Sequence, residues 1–298
     1  MDTFSKKIKS STLLGCLIIA ILGCDSSSIP PERYQQSDAL IQTISSNLKK
    51  APYLTEEIKV DHSRLASAKG QPFPPTQVII FNNDNLEAKM LHQKQILALD
   101  MPLRILAYES SRDQKNSVVW NEIDYIESRY NINFSDEIVS QYNKSMKAAT
   151  EEIPAKFITH FSTNTMKKSG ITTLNSRHSF DDTYQKSLAI IKSNSDVVIF
   201  DEIDFQAKAL SQDVSIGKTK LILFGAPKPG GKSMADAQTL GLDAFPQKYL
   251  VWQDGDGVHV SYNNLTEIAD RQNTKKSIAL RIIQYRLDSS FKKGFDEP

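Results

Sequence analysis

The second half of the chain alternates between short apolar runs and polar turns, a pattern that predicts strands and helices in succession. Strands are predicted at five places, which are residues 170–174, 196–200, 220–224, 248–252 and 258–262. The last two flank the sequence DGDG, whose glycines are typical of a β-hairpin turn. This half is therefore expected to contain a largely antiparallel sheet.

Helices are predicted where apolar residues recur every three or four positions. Ser179 is placed to cap a helix with the apolar positions Phe180, Tyr184, Leu188 and Ile191. Further helices are predicted at 207–210, at 233–238, at 136–152 in the first half, and in a last helix with the apolar positions Ile278, Ile282, Tyr285 and Leu287. Helices that alternate with hairpins favour an α+β two-layer sandwich over a doubly wound parallel sheet.

An internal repeat relates the two halves at a shift of about 143 positions. The ordered matches are TQVIIF at 76–81 with TKLILF at 219–224, LALD at 97–100 with LGLD at 240–243, VVWN at 118–121 with VSYN at 260–263, Asp61 with Asp204, and Arg129 with Arg271. This period is far too long for a solenoid. The sequence therefore predicts two similar two-layer α/β sandwich domains in tandem, at residues 34–153 and 154–298, each a small antiparallel sheet covered by helices.

The first copy lacks a counterpart of the opening strand at 170–174, because the matching stretch is rich in serine and proline. Residues 156–161 (KFITHF), between the copies, have strand character. Since an unpaired sheet edge invites aggregation, we expect this segment to lie along the vacant edge of the first sheet.

The first two dozen residues have the pattern of a processing signal. Three lysines precede an apolar run at 13–22, which is too short to span roughly 30 Å of hydrocarbon but fits the core of a signal peptide. The sequence ILGC at 21–24 resembles the lipobox of bacterial lipoproteins, in which the cysteine is acylated and the peptide is cut before it. We expect a signal peptide at 1–23 and lipid, such as palmitate, on Cys24; an uncleaved anchor helix is the alternative.

The expected location is the cell envelope, on the periplasmic side of a membrane. Residues 24–33 form a short polar tether without apolar content to pack. Asp25 resembles the signal that retains such lipoproteins in the inner membrane, which slightly favours that membrane.

Charge and cysteine content exclude several classes of function. The formal net charge is +1 without a basic block, which argues against electrostatic binding of nucleic acid. Both cysteines, Cys16 and Cys24, lie in the N-terminal region, so the folded part has no disulfide, cysteine nucleophile or thiolate metal site. The five histidines show no metal-ligand spacing. No metal and no cofactor is predicted.

Several motifs of the second copy resemble a known family. They are HSFDDT at 178–183, FDEID at 200–204, LFGAPK at 223–228, LVWQDGDG at 250–257 and SYN at 261–263. In this order they resemble the bacterial domain of unknown function 302 family, which the first copy resembles mainly through the repeat. The resemblance implies a compact α+β domain that often self-associates and has no established activity. If the isolated domain dimerises, the tandem is expected to form the same pair within one chain, as an internal pseudo-dimer.

The segment APKPGGKS at 226–233 resembles a phosphate-binding loop that follows a strand. Three features argue against nucleotide binding there. The acidic strand at 197–202 precedes the loop, and the first copy has no glycine at the matching positions. Pro227 and Pro229 also remove two N–H groups from a loop that has to present them to phosphate. The family resemblance makes this segment an ordinary strand-to-helix turn.

The remaining candidate site is divided between the copies. Asp61 and His62 are candidates for an acid–base or ligand-contact pair, against the simpler interpretation of a polar turn after a strand. The first copy keeps Asp-His but lacks the Gly-x-Pro turn, whereas the second keeps that turn and has Phe205 after its aspartate. A site that needs both is either broken in each copy or shared between the copies. The candidate ligand-binding residues are Asp61, His62, Asp204, Gly225, Pro227 and Lys228.

The sequence favours a lipid-anchored cell-envelope protein of unknown biochemical activity, a non-enzymatic module that binds a small ligand or an envelope protein. No catalytic residue is assigned, because no complete catalytic constellation is visible. The main alternative is a periplasmic hydrolase-like enzyme that uses Asp61 and His62 or acids near the Gly225 turn. Nucleotide binding at 226–233 is a minor alternative.

Overall fold

The computed structural model describes residues 28–162 and 168–295. The first copy consists of α1 (Pro31–Lys50), β1 (Thr55–Asp61), α2 (His62–Ser67), β2 (Thr76–Asn82), α3 (Asp84–Gln93), β3 (Leu103–Glu109), β4 (Asn116–Val119), α4 (Ile123–Tyr130) and α5 (Asp136–Ala149). The second copy consists of β5 (Ile171–Ser176), α6 (Phe180–Lys192), β6 (Val198–Asp204), α7 (Phe205–Leu210), β7 (Thr219–Gly225), α8 (Pro227–Met234), α9 (Leu240–Asp243), β8 (Gln247–Asp254), β9 (Gly257–Asn263), α10 (Leu265–Arg271) and α11 (Ile278–Phe295). Short 3-10 helices occupy Gln95–Leu99 and Ala155–Phe157.

Each copy is built on one antiparallel sheet covered by helices, which confirms the predicted α+β class. The first sheet has the order β1-β2-β3-β4, and the second has the order β5-β9-β8-β7-β6. β1 and β6 carry a bulge at the same place, and the bulged residues are Glu57 and Phe200. Within the two described stretches, no helix is both long and apolar enough to cross a membrane.

The first sheet has one strand fewer, and the segment between the copies lies at its open edge. Ile158 forms a single parallel bridge with Val118 of β4. The backbone N–H of Thr159 donates to the carbonyl of Val118 at 2.9 Å. The segment therefore reaches the expected edge, but it pairs at one bridge and does not form a strand, because its first residues belong to the 3-10 helix Ala155–Phe157.

Several element boundaries differ from the sequence prediction. α1 begins at Pro31, inside the predicted tether, because proline is well tolerated in the first turn of a helix. The strand predicted at 196–200 lies at Val198–Asp204. The helix predicted at 233–238 is wrong, since α8 occupies Pro227–Met234 and starts on a proline.

The last helix turns a different face to the core than predicted. Leu280, Ile283, Leu287 and Phe291 are its buried apolar residues. The predicted core positions Ile278, Ile282 and Tyr285 are 78%, 54% and 72% exposed. Of the four apolar positions that the sequence analysis assigns to this helix, only Leu287 is buried in the core.

The two copies pack against each other through matched pairs of elements. α2 packs against α8, and its counterpart α7 packs against α3, the counterpart of α8. The 3-10 helix Gln95–Leu99 contacts β7, β8 and β9, while its counterpart α9 contacts β2 and β3. Each hydrophobic core also contains residues from the other copy, such as Phe205 in the first core and Phe73 in the second.

Charged side chains are buried where the copies meet. The guanidinium of Arg129 donates to Asp100 at 2.7 Å and to Asn263 of the second copy at 2.7 Å. Its counterpart Arg271 lies 4.0 Å from Asp243, a longer ion pair, and its guanidinium carbon is 3.8 Å from each ring centre of Tyr125 and Phe161. The repeat therefore places one arginine of each copy in the shared interior, in two different environments.

Candidate functional site

His62 of the first copy lies beside the Gly-x-Pro turn of the second. The ring follows β1 directly, at the first residue of α2, and its Nε2 is 3.1 Å from the carbonyl oxygen of Gly241. The turn at 225–227 follows β7 in the same way and leads into α8. Because α2 packs against α8, the two halves of the candidate site, which are about 160 residues apart in sequence, come together between the copies.

The resulting cavity, called the His62 pocket below, is small and mainly apolar. The first copy contributes His62 and Leu65; the second contributes the turn at 225–227 and the side chains of Phe200, Met234 and Phe245. Its volume is about 20 Å³. Since a cavity of roughly 10–15 Å³ holds one water molecule, the His62 pocket accepts one water-sized group.

His62 is the titratable side chain of this pocket, and it is held neutral. Burial lowers the pKa of His62 to about 4, and hydrogen bonds to the backbone of Gly241 and Phe245 oppose the shift only in part. The residue is 6% exposed. At neutral pH the imidazole therefore acts as an uncharged hydrogen-bonding group.

Asp61 does not face His62 as an acid–base partner. Its carboxylate accepts from the backbone N–H of Arg64 at 2.8 Å and from the Arg64 guanidinium at 2.6 Å. Asp61 is thus the N-cap of α2, which satisfies an N–H group of the first turn. Asp204 has the same position in the second copy, where it caps α7 through Ala207.

The position equivalent to the His62 pocket is occupied by polar side chains, called the Lys208 cluster: Glu57, Asn82, Asp84, Glu87 and Lys208. Phe205 replaces the histidine, and Lys208 stands where the other site has Leu65. The Lys208 ammonium lies 2.9 Å from Glu57 and 2.7 Å from the side-chain oxygen of Asn82. One of the two equivalent positions is therefore a cavity and the other is an ion-pair network between the copies.

Glu87 is a buried acid within the Lys208 cluster. Its side chain replaces Gly230 of the other site, and the residue is 2% exposed. Burial raises the pKa of Glu87 to about 8, although Lys208 opposes the shift. One carboxyl oxygen accepts from the N–H of Asn83 at 3.2 Å.

The other candidate residues lie apart from the pocket. Lys228 is exposed on α8. The segment that resembles a phosphate loop forms most of α8, with Lys232 exposed and the Ser233 hydroxyl donating to the carbonyl of Pro229 at 3.0 Å. Cys24, with the whole predicted signal peptide, lies outside the described residues. Among those residues, no group of three potential metal ligands comes together.

Sequence reasoning missed the aromatic and apolar lining and the buried arginines. Phe200 belongs to the family motif FDEID, Met234 to the helix predicted at 233–238, and Phe245 to neither, so no pattern indicates that the three line one cavity. Arg129 and Arg271 were visible as matched positions of the repeat, which was the available signal that both have defined places.

Comparison with known proteins assigns the family. The family model described as Domain of unknown function DUF302 matches residues 34–153 and 172–289. The chain belongs to this family and contains two tandem copies of its domain. A solved structure, an uncharacterized conserved DUF302 protein from Bacillus stearothermophilus, has a TM-score of 0.36 and 13% identity to this chain, and it covers 43% of this chain and 96% of its own.

Among curated proteins, the chain is similar to part of three channels from Brucella species. The fluoride-specific ion channel FluC 1 of Brucella suis biovar 1 (strain 1330) is 36% identical over 106 residues, which cover 35% of this chain and 41% of the channel. FluC 1 of Brucella abortus biovar 1 (strain 9-941) is equally similar and is covered to 38%. This chain thus spans about two-fifths of the length of these relatives.

Proposed function

We propose that this chain is a cell-envelope protein, anchored by lipid on Cys24, whose two copies form a non-enzymatic binding module for one small uncharged ligand. The ligand places a water-sized apolar group in the His62 pocket. The observation that carries the proposal is the position of this pocket between the copies, where His62 and the turn at 225–227 are brought together from separate domains.

The chemistry of the lining supports a binding role. An acid–base catalyst works best with a pKa near the working pH, whereas burial lowers the pKa of His62 to about 4. Both oxygens of the nearby Asp61 are engaged by Arg64. A neutral imidazole among apolar side chains suits recognition of an uncharged group, because small-molecule sites combine apolar walls with a few placed polar groups.

Thermal unfolding of the whole protein in the presence of trial ligands tests the pocket. The probes are small uncharged organic molecules, and fluoride is added because the curated relatives are named as fluoride-specific channels. A ligand at about 100 times its dissociation constant stabilises the protein by about 2.7 kcal/mol. We expect a shift with an uncharged probe.

Gly230→Ala is the matched variant for this screen. A Cβ at Gly230 points toward Phe245 at 3.6 Å, which is an ordinary contact, so the methyl group occupies the pocket without disturbing the helix. We expect the ligand-induced shift to disappear in this variant. A shift that persists in Gly230→Ala, or a shift with fluoride alone, contradicts the proposed site or its ligand class.

The anchor is tested separately by Cys24→Ala. The wild-type protein is expected to fractionate with membranes and to incorporate labelled palmitate, and the variant is expected to lose the label. Labelling that persists in the variant contradicts acylation at Cys24, and this result leaves the pocket proposal untouched.

A further inference from the structure

α11 leaves a stripe of large apolar side chains in solvent. Ile278, Ile282 and Tyr285, called the α11 stripe below, are 78%, 54% and 72% exposed. Their spacing of four and three residues places them on one side of the helix. The described residues include only three other exposed large apolar side chains, which are Tyr53, Val198 and Leu210. Within residues 28–162 and 168–292, the stripe is therefore the one place where such residues form a continuous row.

The stripe lies on a helix that is fixed from the opposite side. Leu280, Ile283, Leu287 and Phe291 pack into the second core, and the ring of Phe291 lies 4.0 Å from that of Tyr249. α11 also contacts α6, α8 and α10. Because the inner face packs on the second core, the outer apolar row lies on the side of α11 that points away from this core.

Basic residues surround this row. Between Lys275 and Lys292 the sequence has five basic residues and one acid, Asp288, which accepts from the hydroxyl of Tyr262 at 2.9 Å. Lys275, Lys276 and Arg286 pair with acids of neighbouring elements. Arg281 and Lys292 are exposed and form no ion pair with any residue that the structure describes. These two positions fall on one border of the stripe.

We propose that α11 lies on the surface of an anionic lipid bilayer, with the α11 stripe inserted among the headgroups and with Arg281 and Lys292 facing lipid phosphates. An amphipathic helix binds a membrane surface in this way when an apolar face is bordered by basic side chains, and an aromatic ring such as that of Tyr285 suits the headgroup level. Each basic residue near an anionic surface strengthens the attraction to it. The contact goes beyond the proposed ligand site, and its chemistry does not require lipid on Cys24.

The proposal is tested with a fluorescent probe on the helix. In the full-length chain with Cys16→Ser and Cys24→Ser, Ile282→Cys is labelled with an environment-sensitive dye and mixed with vesicles. The vesicles contain phosphatidylcholine alone or with about a third phosphatidylglycerol. The apolar run at 13–22 is expected to hold every variant on both kinds of vesicle, which flotation verifies. The matched control carries the dye at Arg112→Cys, an exposed loop position.

We expect the dye at position 282 to brighten at least about two-fold, with emission at shorter wavelength, on the anionic vesicles only. The additional changes Arg281→Glu and Lys292→Glu should abolish the effect, and the dye at position 112 should not respond. Equal responses at 282 and 112, or on both kinds of vesicle, overturn the proposal. A response that grows with protein concentration without vesicles also overturns it, because it assigns the stripe to a second copy of the chain.

Discussion

Gly231 and Ala66 meet directly across the junction of the two copies. A Cβ built at Gly231 would stand 2.4 Å from the Cβ of Ala66, a separation that real side chains do not reach. The glycine pair at 230–231, which in sequence resembles part of a phosphate loop, thus allows α8 to approach α2. This close approach places the turn at 225–227 beside His62.

The two neighbouring glycines are expected to respond in opposite ways to the same substitution. Gly231→Ala overpacks the junction and should destabilise the protein by roughly 1–3 kcal/mol. Gly230→Ala meets only ordinary contacts and should stabilise it by roughly 0.5–1 kcal/mol, because alanine loses less entropy in a helix. Urea unfolding of both variants measures the contrast. A stable Gly231→Ala variant would show that the helices are not so close.

Substitution of the two buried arginines, Arg129 and Arg271, is expected to reduce stability by unequal amounts. Arg129→Met leaves Asp100 without its charged partner and removes the bond to Asn263, so a loss of roughly 3–5 kcal/mol is expected. Arg271→Met should cost less, because the guanidinium of Arg271 has no hydrogen-bond partner among the described residues and its ion pair with Asp243 is long, at 4.0 Å. Asp243 also keeps its hydrogen bonds from Asn121 and Gln272. Methionine also keeps contact with the two rings. Equal losses in the melting temperature would contradict the asymmetry.

Glu87 should make the protein less stable as the pH rises. Its folded-state pKa is about 8 against an ordinary value of 4.5, so the folded state retains a proton that the unfolded chain loses. Stability is then lost progressively from pH 4.5 to about 8 and stays constant above that range. Glu87→Gln should remove this slope and be the more stable protein at pH 8. The exposed Glu137→Gln serves as the control, and chemical unfolding across this range provides the measurement.

His62 should make the protein less stable as the pH falls. The pKa of His62 is about 4 in the folded state against an ordinary value of 6.5. Between these two pH values the unfolded chain binds a proton at this residue and the folded state does not. The stability that depends on neutral His62 is present above pH 6.5 and is lost as the pH falls toward 4. His62→Gln keeps a side-chain N–H for Gly241 but does not titrate, and should reduce this loss. The exposed His178→Gln should leave it unchanged; the same slope in both variants would refute the assignment.

The fold class followed from local signals, and the site did not. The cap at Ser179 and the hairpin turn depend on neighbours within a few residues, so the sequence predicts them well. The meeting of His62 with the turn at 225–227 depends on how two domains dock. The repeat showed that each copy has lost half of the site, but only packing decides that the surviving halves face each other.

The error in α11 has a different origin. This helix carries apolar residues at helical spacing on two sides, one around Ile282 and the other around Ile283. Periodicity identifies a helix but cannot rank two apolar faces. The buried face is the one that packs on the second core, where Phe291 contacts Tyr249, and such long-range contacts cannot be inferred from local periodicity.

The exchange of side chains between the two cores has a consequence for biosynthesis. The first copy leaves the ribosome before Phe205 and Leu221, which complete its interior, have been made. We expect it to remain incompletely formed until the second copy follows, and the finished protein to unfold in a single calorimetric transition whose measured and van't Hoff enthalpies agree. Two separate transitions would mean that the copies are independent. Duplication has then produced one cooperative unit. Neither copy can be replaced, shortened or separated from the other without loss of its core.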